Sequence, residues 1–352
     1  MQVDYLLIGQ GISGTFLSHY LLKAGKSVLV IDEPQPWSPS RVAAGIMNPV
    51  TGRRLSTVWK AKEIFDFIPD AYTEIGQLLN IEAFSRKDVL DFFPNPFMRE
   101  SFLGKIAEDD QFVALGTTPD QWNPFLQFEF GYGQIKPVYT AHLDLLIPAW
   151  RQLLISQNQL REEYFDLVDL KLEKEGIVYN DITAKKIIFC EGPAGMENPW
   201  FKMLPFSKNK GQALILHIPV LPGDYIYKKG MLLVPLPEQQ LFWLGASYEW
   251  EFTDTLPTTQ FRDKMIAALK EWIKIPFEIV EQRAGLRPAT LERRPFCGLH
   301  PIHPAVGIFN GMGTKGCSLA PYFANELANH LTSGSSITPE ADVTRFKRIL
   351  ST

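Results

Sequence analysis

Three glycines near the N-terminus have the spacing of a phosphate-binding loop. Gly9, Gly11 and Gly14 follow a short apolar run and lead into a helical pattern of apolar residues. The first glycine permits a tight turn, the second lets a diphosphate approach the backbone, and the third lets the helix pack closely on the strand. The start of that helix, at Ile12 and Ser13, offers unpaired N–H groups to an anion.

An acidic residue ends the next apolar run. Residues 27–31 predict a second strand, and Asp32 follows it directly. A carboxylate at this position can accept hydrogen bonds from a ribose diol. A glycine-rich turn alone is compatible with a loop that binds no ligand. The strand, helix, second strand and terminal acid together predict that the loop binds a dinucleotide, but they do not distinguish FAD from NAD.

The buried-strand pattern that positions this loop recurs along the chain. The chain has 352 residues, a length that suggests two domains. Buried-strand runs at 187–190 and 306–309 continue the parallel-sheet pattern, whereas strand patterns between 212 and 247 are typical of antiparallel pairing. The predicted fold class is α/β: a Rossmann-like nucleotide-binding domain with a parallel sheet, plus an inserted α+β substrate domain with a mainly antiparallel sheet. The predicted nucleotide domain comprises 1–76, 138–205 and 290–352, and the predicted substrate domain 77–137 and 206–289.

Composition and charge exclude several classes of protein. The net charge is −4, so no global positive field favours nucleic acid or an anionic membrane, although Arg53-Arg54 and Arg293-Arg294 leave local sites open. No apolar run approaches the roughly 18 residues of a membrane helix. The three cysteines are far apart and form no metal-ligand pattern, and the N-terminus lacks a signal-peptide pattern. We therefore expect a cytoplasmic protein with no bound metal.

Several ordered segments resemble the D-amino-acid oxidase/glycine oxidase family of FAD-dependent oxidoreductases. After the N-terminal loop, the similar segments are Ser40–Met47, Ile187–Ala194, Lys210–Gln212, Gly245–Glu249, Gly285–Pro288 and Gly311–Gly316. The resemblance implies noncovalent FAD; Cys297 and Cys317 lack the surroundings of a covalent flavin attachment. It implies that the cofactor is held by Gly9, Gly11, Ile12, Ser13, Gly14, Asp32, Ser40, Ala44, Gly45, Met47, Gly192, Gly311, Gly313, Thr314, Lys315 and Gly316.

The resemblance also implies a reaction. A hydride equivalent passes from the carbon beside the nitrogen of a small amino acid or amine to flavin N5, and molecular oxygen or another electron acceptor reoxidises the flavin. In the family, the arginine that corresponds to Arg287 grips the substrate carboxylate, a task that suits a guanidinium. Lys315 and the helix start beside it could stabilise the negative charge of the reduced flavin.

Alternatives remain for each of these side chains. Arg287 could form a structural ion pair, and Lys315 could be a solvated lysine. Tyr227 and Tyr248 could line the substrate pocket or pack in the core, and Arg53 could hold a second acidic group or face solvent.

The segments 48–54, 190–192 and 292–295 depart from the family pattern and leave the substrate open. One alternative function is oxidation of a modified tRNA nucleoside, because the Lys315-Gly316 helix start also resembles the oxidase half of a tRNA wobble-uridine modifying enzyme. The net charge argues against it. A non-enzymatic flavin-binding protein is the other alternative.

Overall fold

The computed structural model describes residues 1–52, 54–109, 111–238 and 240–351. Its α-helices are α1 (Ile12–Lys23), α2 (Pro39–Val42), α3 (Ala61–Leu79), α4 (Pro96–Glu108), α5 (Leu143–Ser156), α6 (Thr259–Lys270), α7 (Gly316–Ser333) and α8 (Lys347–Leu350). Short 3₁₀ turns cover Pro119–Trp122, Leu167–Asp169, Gly192–Met196 and Val343–Phe346.

The strands are, in chain order, β1 (Gln2–Ile8), β2 (Val28–Ile31), β3 (Ile46–Met47), β4 (Val50–Thr51), β5 (Ser56–Thr57), β6 (Phe84–Arg86), β7 (Val89–Phe92), β8 (Val113–Leu115), β9 (Tyr132–Ile135), β10 (Tyr139–Ala141), β11 (Leu160–Arg161), β12 (Leu170–Glu173), β13 (Gly176–Tyr179), β14 (Ile182–Phe189), β15 (Phe206–His217), β16 (Ile226–Lys228), β17 (Leu232–Pro235), β18 (Leu241–Gly245), β19 (Glu278–Thr290), β20 (Phe296–Leu299) and β21 (Val306–Asn310).

The first sheet has a parallel core in the order β11-β2-β1-β14-β21. Its strands are almost continuously apolar and buried, as expected for a sheet covered on both faces. The antiparallel hairpin β12–β13 pairs with the start of β14, on the same side of β14 as β21, and β20 pairs antiparallel with β21. The carboxyl ends of β1, β2, β14 and β21 meet at one edge, where ligands bind in open α/β sheets.

Helices cover one face of this sheet. Residues of α1, α3, α5 and α7 form one apolar cluster with inward-facing residues of β1 and β2. Helix α3 is strongly amphipathic. Its buried stripe contains, at helical spacing, Ile64, Ile68, Tyr72 and Ile75. α1 packs along α7, so the N-termini of these two helices approach each other at the sheet edge.

The second sheet has the order β19-β15-β18-β17-β16-β7-β9-β8 and is antiparallel except where β16 runs beside β7. One face packs against α6. The other face packs against the short hairpin β4–β5, which buries Val50 and Leu55 beside Ala213 and Trp243 of the sheet. The hairpin therefore covers the face of the second sheet opposite α6.

The predicted fold class is confirmed: a parallel α/β sheet is combined with a mainly antiparallel α+β unit. The strands of the first sheet lie within 2–31, 160–189 and 296–310, and those of the second within 89–135 and 206–290. The predicted domain boundaries separate these two sheets, and we propose that division for the folded chain. Within the part of the chain that the structure describes, no helix has the length and apolar character needed to span a bilayer.

Candidate functional site

The glycine loop between β1 and α1 is set by backbone contacts. Gly9 has φ +99°, and a Cβ on it would lie 2.6 Å from the carbonyl oxygen of Cys190. A Cβ on Gly14 would overlap the carbonyl oxygen of Gly9. Any side chain at either position therefore displaces the strand, the helix or β14. These contacts account for the first and third glycines of the motif.

The second glycine borders an opening at the start of α1. A Cβ on Gly11 would meet only Ser40, 3.1 Å from its hydroxyl oxygen. That same oxygen accepts a hydrogen bond from the N–H of Ile12 at 3.0 Å. The structure thus brings Gly11, Ile12, Ser13 and Ser40 together at the positive end of α1, where the N–H groups of the first turn have no acceptor within the helix. This arrangement fits a diphosphate.

Asp32 lies beside this loop and is paired with an arginine that the sequence interpretation missed. Its carboxylate accepts the N–H of Gln10 at 2.8 Å and the Nη1 of Arg151 at 2.5 Å. Arg151 is only 5% exposed and also donates to the Asp32 carbonyl and to Glu162. Each carboxylate oxygen of Asp32 keeps a lone pair, and its side chain is 19% exposed, so it remains able to accept a ribose hydroxyl.

A detectable signal for Arg151 exists in the sequence. Helix α5 buries Ile147, Trp150 and Leu154 at helical spacing, and Arg151 lies on the same stripe. An arginine inside an apolar stripe requires a buried anion. The carboxylate at the end of β2 supplies it, and this pairing ties α5 to the nucleotide end of the sheet.

The segment from Ala44 to Met47 connects the glycine loop to the second sheet. Gly45 has φ +73°, and a Cβ on it would overlap the carbonyl oxygen of Ala141. Ala44 is partly exposed. Met47 is fully buried in the cluster between α1, α3 and α7. The Met47 side chain is enclosed by protein, so only its backbone can contact the cofactor, and its role there stays a prediction.

The loop before α7 forms the other border of the opening. Gly311 and Gly313 have φ +79° and +57°, and the N–H of Gly313 donates to Pro288 at 3.0 Å. A Cβ on Gly316 would lie 3.2 Å from Ile12, so the starts of α7 and α1 touch. Thr314 is exposed. Two helix N-termini thus converge on one opening, which favours a ligand with negative charge at two places.

Gly192 borders the same opening at the end of β14. It has φ +57°, and its carbonyl oxygen accepts Asn310 Nδ2 at 2.8 Å. The preceding Glu191 is largely buried, and burial raises the pKa of its carboxyl to about 7 despite a hydrogen bond from Asn198. The departure from the family pattern at 190–192 therefore places a titrating carboxyl at the sheet edge.

Lys315 lies at the start of α7, on this loop. It is partly buried, and no carboxylate oxygen of the described residues lies within 4.0 Å, the ion-pair distance, of its ammonium. Burial, together with the positive charge of Arg293, lowers the pKa of its ammonium to about 8. The prediction of an anion-binding lysine at this helix start fits an ammonium that lacks a counter-ion.

Arg287 projects from β19 onto the face of the second sheet that the hairpin covers. Its Nη1 donates to Asn209 Oδ1 at 2.6 Å and to the carbonyl of Ser247 at 3.0 Å. Its guanidinium lies directly over Gly211, where a Cβ would overlap it. Among the residues described, none accepts from Nε or Nη2 of Arg287. One edge of the guanidinium is therefore free for a carboxylate.

Tyr248 covers this guanidinium, whereas Tyr227 does not reach it. The Tyr248 ring is 62% exposed and lies 4.8 Å from Cζ of Arg287. Tyr227 is 0% exposed, packs against Trp122, and donates its hydroxyl to Pro222 at 2.7 Å. The prediction that Tyr227 lines the pocket is wrong, because the second sheet turns this ring into its α6-side core. Arg53, the other predicted contact, lies outside the described residues.

The loop that carries Tyr248 is anchored from β15. Gln212 Nε2 donates to Glu249 at 2.7 Å, and its backbone N–H donates to the Ser247 hydroxyl. The ammonium of Lys210, which is 2% exposed, lies 3.9 Å from the same glutamate. The Lys210–Gln212 segment therefore has two functions: Gly211 leaves room for Arg287, and its neighbours hold the loop above it.

Comparison with known proteins agrees with this geometry. Residues 141–330 match the family model described as FAD dependent oxidoreductase. The chain is similar in structure to glycine oxidase from Geobacillus kaustophilus, with 17% identity, a TM-score of 0.79 and coverage of 96% of each chain. It is also similar to L-proline dehydrogenase from P. horikoshii, with 18% identity, a TM-score of 0.75 and coverage of 99% and 98%. L-α-glycerophosphate oxidase from Mycoplasma pneumoniae matches at 15% identity, a TM-score of 0.73 and coverage of 97% of each chain.

The family model covers more than half of the chain, and the chain belongs to this family of FAD-dependent oxidoreductases. It is therefore an enzyme, and FAD is its cofactor. The residues fit this cofactor, since the glycine cradle and Ser40 accommodate a diphosphate and Asp32 keeps free lone pairs. All three cysteines are buried, and burial raises the pKa of the Cys317 thiol to about 12, which supports the prediction of noncovalent FAD.

Proposed function

We propose that the protein oxidises the C–N bond of a small amino acid or amine. The observation that carries this proposal is Arg287: a partly buried cation with one hydrogen-bonding edge free, on a strand whose Pro288 accepts a hydrogen bond from Gly313 of the α7 loop. A guanidinium in this state binds a carboxylate with two parallel, charge-assisted hydrogen bonds. An amino acid held in this way is fixed in both position and orientation.

The chain's own residues then have separate tasks. Asn209 and Ser247 hold one end of the Arg287 guanidinium, so the substrate carboxylate meets a group that is already oriented. Tyr248 covers the guanidinium and limits the access of water to the ion pair. The chemistry that FAD supplies when bound is acceptance of a hydride equivalent from the carbon beside the nitrogen.

The start of α7 favours negative charge near the cofactor. Its N–H groups lack acceptors within the helix, and Lys315 adds a full charge at pH values below about 8. We propose that this end of α7 faces the part of the cofactor that becomes negative on reduction. Molecular oxygen or another acceptor removes the electrons afterwards, and oxygen uptake during turnover would separate an oxidase from a dehydrogenase.

An anaerobic substrate panel tests the proposed function. The purified yellow protein is mixed without oxygen with glycine, sarcosine, D- and L-amino acids and cyclic imino acids, and the visible flavin absorbance is followed. We expect at least one compound to bleach the flavin, with a rate that saturates with concentration. If none of these compounds bleaches it while dithionite does, the C–N bond is not the one oxidised.

A further inference from the structure

A short helix carries Ser40 to the opening that fits the diphosphate. Helix α2 has four residues, and a single helical turn is not stable by itself. The loop before it, 33–37, is exposed, and Val42 is the buried residue of the helix. The position of Ser40 therefore depends on the contacts that Val42 makes with the rest of the protein.

The Ser40 hydroxyl needs an accurate position. Its oxygen accepts the N–H of Ile12 at 3.0 Å, which leaves the hydroxyl hydrogen for a second partner. Within the ranges that the structure describes, no group accepts that hydrogen. The hydroxyl can therefore donate to a diphosphate oxygen at the start of α1, and a hydrogen bond of this kind weakens steeply when its geometry is lost.

The contact that holds Val42 comes from the second sheet. Trp243 of β18 donates its indole N–H to the Val42 carbonyl oxygen at 3.0 Å, in buried surroundings. Val42 ends α2, so this carbonyl has no N–H partner within the helix. The indole therefore satisfies the carbonyl and ties the end of α2 to a strand of the second sheet.

Two glycines make room for this contact. A Cβ on Gly245 would lie 2.6 Å from Cη2 of Trp243, so the indole lies along its own strand over this glycine. A Cβ on Gly285 of β19 would lie 3.3 Å from Cβ and Cγ2 of Val42. Helix α2 thus rests directly on two strands of the second sheet, and a change in either strand would move it.

We propose that Trp243 is a positioning residue for cofactor binding: its N–H holds Val42, and α2 in turn holds Ser40 at the diphosphate site. The second sheet therefore contributes to the affinity for FAD through a tryptophan of its apolar cluster. This inference concerns the cofactor alone and does not depend on which bond of the substrate is oxidised.

Dissociation of FAD from the holoenzyme tests this inference. Trp243→Phe keeps an aromatic ring in the cluster and removes the N–H donor. Tyr227→Phe is the matched control, because it removes a buried hydrogen bond from an aromatic side chain to a backbone carbonyl on the opposite face of the same sheet. Free FAD is measured by its fluorescence at equilibrium after dilution. We expect both variants to lower the melting temperature, but only Trp243→Phe to raise the Kd for FAD, by about fivefold.

A double-mutant cycle with Ser40→Ala shows whether Trp243 acts through Ser40. Ser40→Ala removes the hydroxyl and should raise the Kd for FAD about tenfold. Once the hydroxyl is absent, its position no longer matters, so the double variant should show the same increase of about tenfold. Independent effects of the two substitutions would instead multiply to about fiftyfold.

Gly285→Ala should move α2 while leaving Trp243 in place. Its Cβ would press on Val42 from β19, whereas a Cβ on Gly104 meets no atom within 4 Å. We therefore expect Gly285→Ala to raise the Kd for FAD and Gly104→Ala to leave it unchanged. If Trp243→Phe does not fold, this pair tests the inference, and equal Kd values for the two variants would overturn it.

An unchanged Kd for FAD in Trp243→Phe, with a melting temperature lowered as in Tyr227→Phe, would assign the indole to core packing alone and overturn the inference. An increase of about fiftyfold in the double variant would also overturn it, because Trp243 would then act independently of Ser40. If the Kd values change as expected but no amine bleaches the flavin, the role of Trp243 stands and the proposed function fails.

Discussion

The two ends of the cofactor opening balance their charges differently. At the β1–α1 loop, the acid Asp32 is neutralised by Arg151, and the glycines are fixed by contacts with backbone carbonyls. At the α7 end, Arg287 and Lys315 have no ion-pair partner among the described residues. The first end is complete as a protein structure, whereas the second leaves positive charge for a ligand. We infer that the first end holds the diphosphate of the cofactor and that the second holds the redox-active part of the cofactor and the substrate.

Replacement of Arg287 should have the largest effect on activity, and it tests whether the α7 end of the opening binds the substrate. Arg287→Leu removes the free guanidinium edge. The kcat/KM for a carboxylate substrate should therefore fall by an amount that corresponds to a loss of about 2–5 kcal/mol of transition-state stabilisation. Steady-state kinetics and the flavin content of the purified variant are measured together. A variant that retains FAD and full activity would show that Arg287 has only a structural role.

Removal of Arg151 should damage the opposite end. Arg151→Met leaves the carboxylate of Asp32 without its buried partner, and we expect a loss of about 3 kcal/mol in the free energy of unfolding, together with weaker FAD binding. Urea unfolding and FAD titration of the apoprotein measure the two effects. Unchanged KM values for substrate in the FAD-saturated variant would show that Arg151 does not affect the α7 end of the opening. A large rise in KM would contradict this separation of the two ends.

The glycine loop offers a matched pair of alanine substitutions. Gly14→Ala places a Cβ against the Gly9 carbonyl, whereas a Cβ on Gly104 within α4 meets no atom within 4 Å. We expect Gly14→Ala to cost about 1–3 kcal/mol and to lower the FAD content, and Gly104→Ala to be neutral or slightly stabilising. Thermal unfolding with and without added FAD compares them. Equal behaviour of the two variants would refute the role of backbone contact at this loop.

Glu191 predicts a pH-dependent stability at the sheet edge. Its folded-state pKa of about 7 lies above the ordinary value of 4.5, so the folded protein binds the proton more tightly than the unfolded chain does. Stability from this group is complete below the unfolded pKa and is lost as pH rises through about 7. Glu191→Gln should therefore be more stable than the native protein at pH 8, by on the order of 2 kcal/mol, and no more stable at pH 4. A constant difference across this range would contradict the burial of the carboxyl.

The two tyrosines should show the smallest effects and sharpen the boundary between core and pocket. Tyr227→Phe removes a buried hydrogen bond to Pro222 and should cost about 1 kcal/mol of stability without changing KM. Tyr248→Ala removes the exposed ring over Arg287 and should raise KM while leaving the melting temperature nearly unchanged. Kinetics and thermal unfolding of both variants test this. The reverse pattern would place Tyr227 in the pocket.

How far the sequence predicts the structure depends on the kind of constraint. Apolar residues at helical spacing predict a helix from Ala61 to Leu79, and α3 has those bounds because its apolar stripe is regular. The motif of Gly9, Gly11 and Gly14 could be interpreted because backbone contact admits no other residue at two of the three positions. Such local constraints leave a pattern in the sequence.

Long-range pairings leave no such pattern. The partner of Asp32, Arg151, follows it by more than a hundred positions, and only the fold shows which acid neutralises it. Tyr227 and Tyr248 are both aromatic residues of the same region, but Tyr227 lies on β16 in the α6-side core, whereas Tyr248 lies on the loop after β18 beside Arg287, and only the fold separates them.

Single-turnover stoichiometry tests the central claim most directly. The FAD-loaded protein is reduced without oxygen by the most active acyclic compound of the substrate panel, and the flavin reduced is compared with the ammonia or free amine released. Oxidation of a C–N bond predicts one equivalent of ammonia or amine for each flavin bleached. Bleaching without release of ammonia or amine would contradict the account and assign the oxidation to another bond of the substrate.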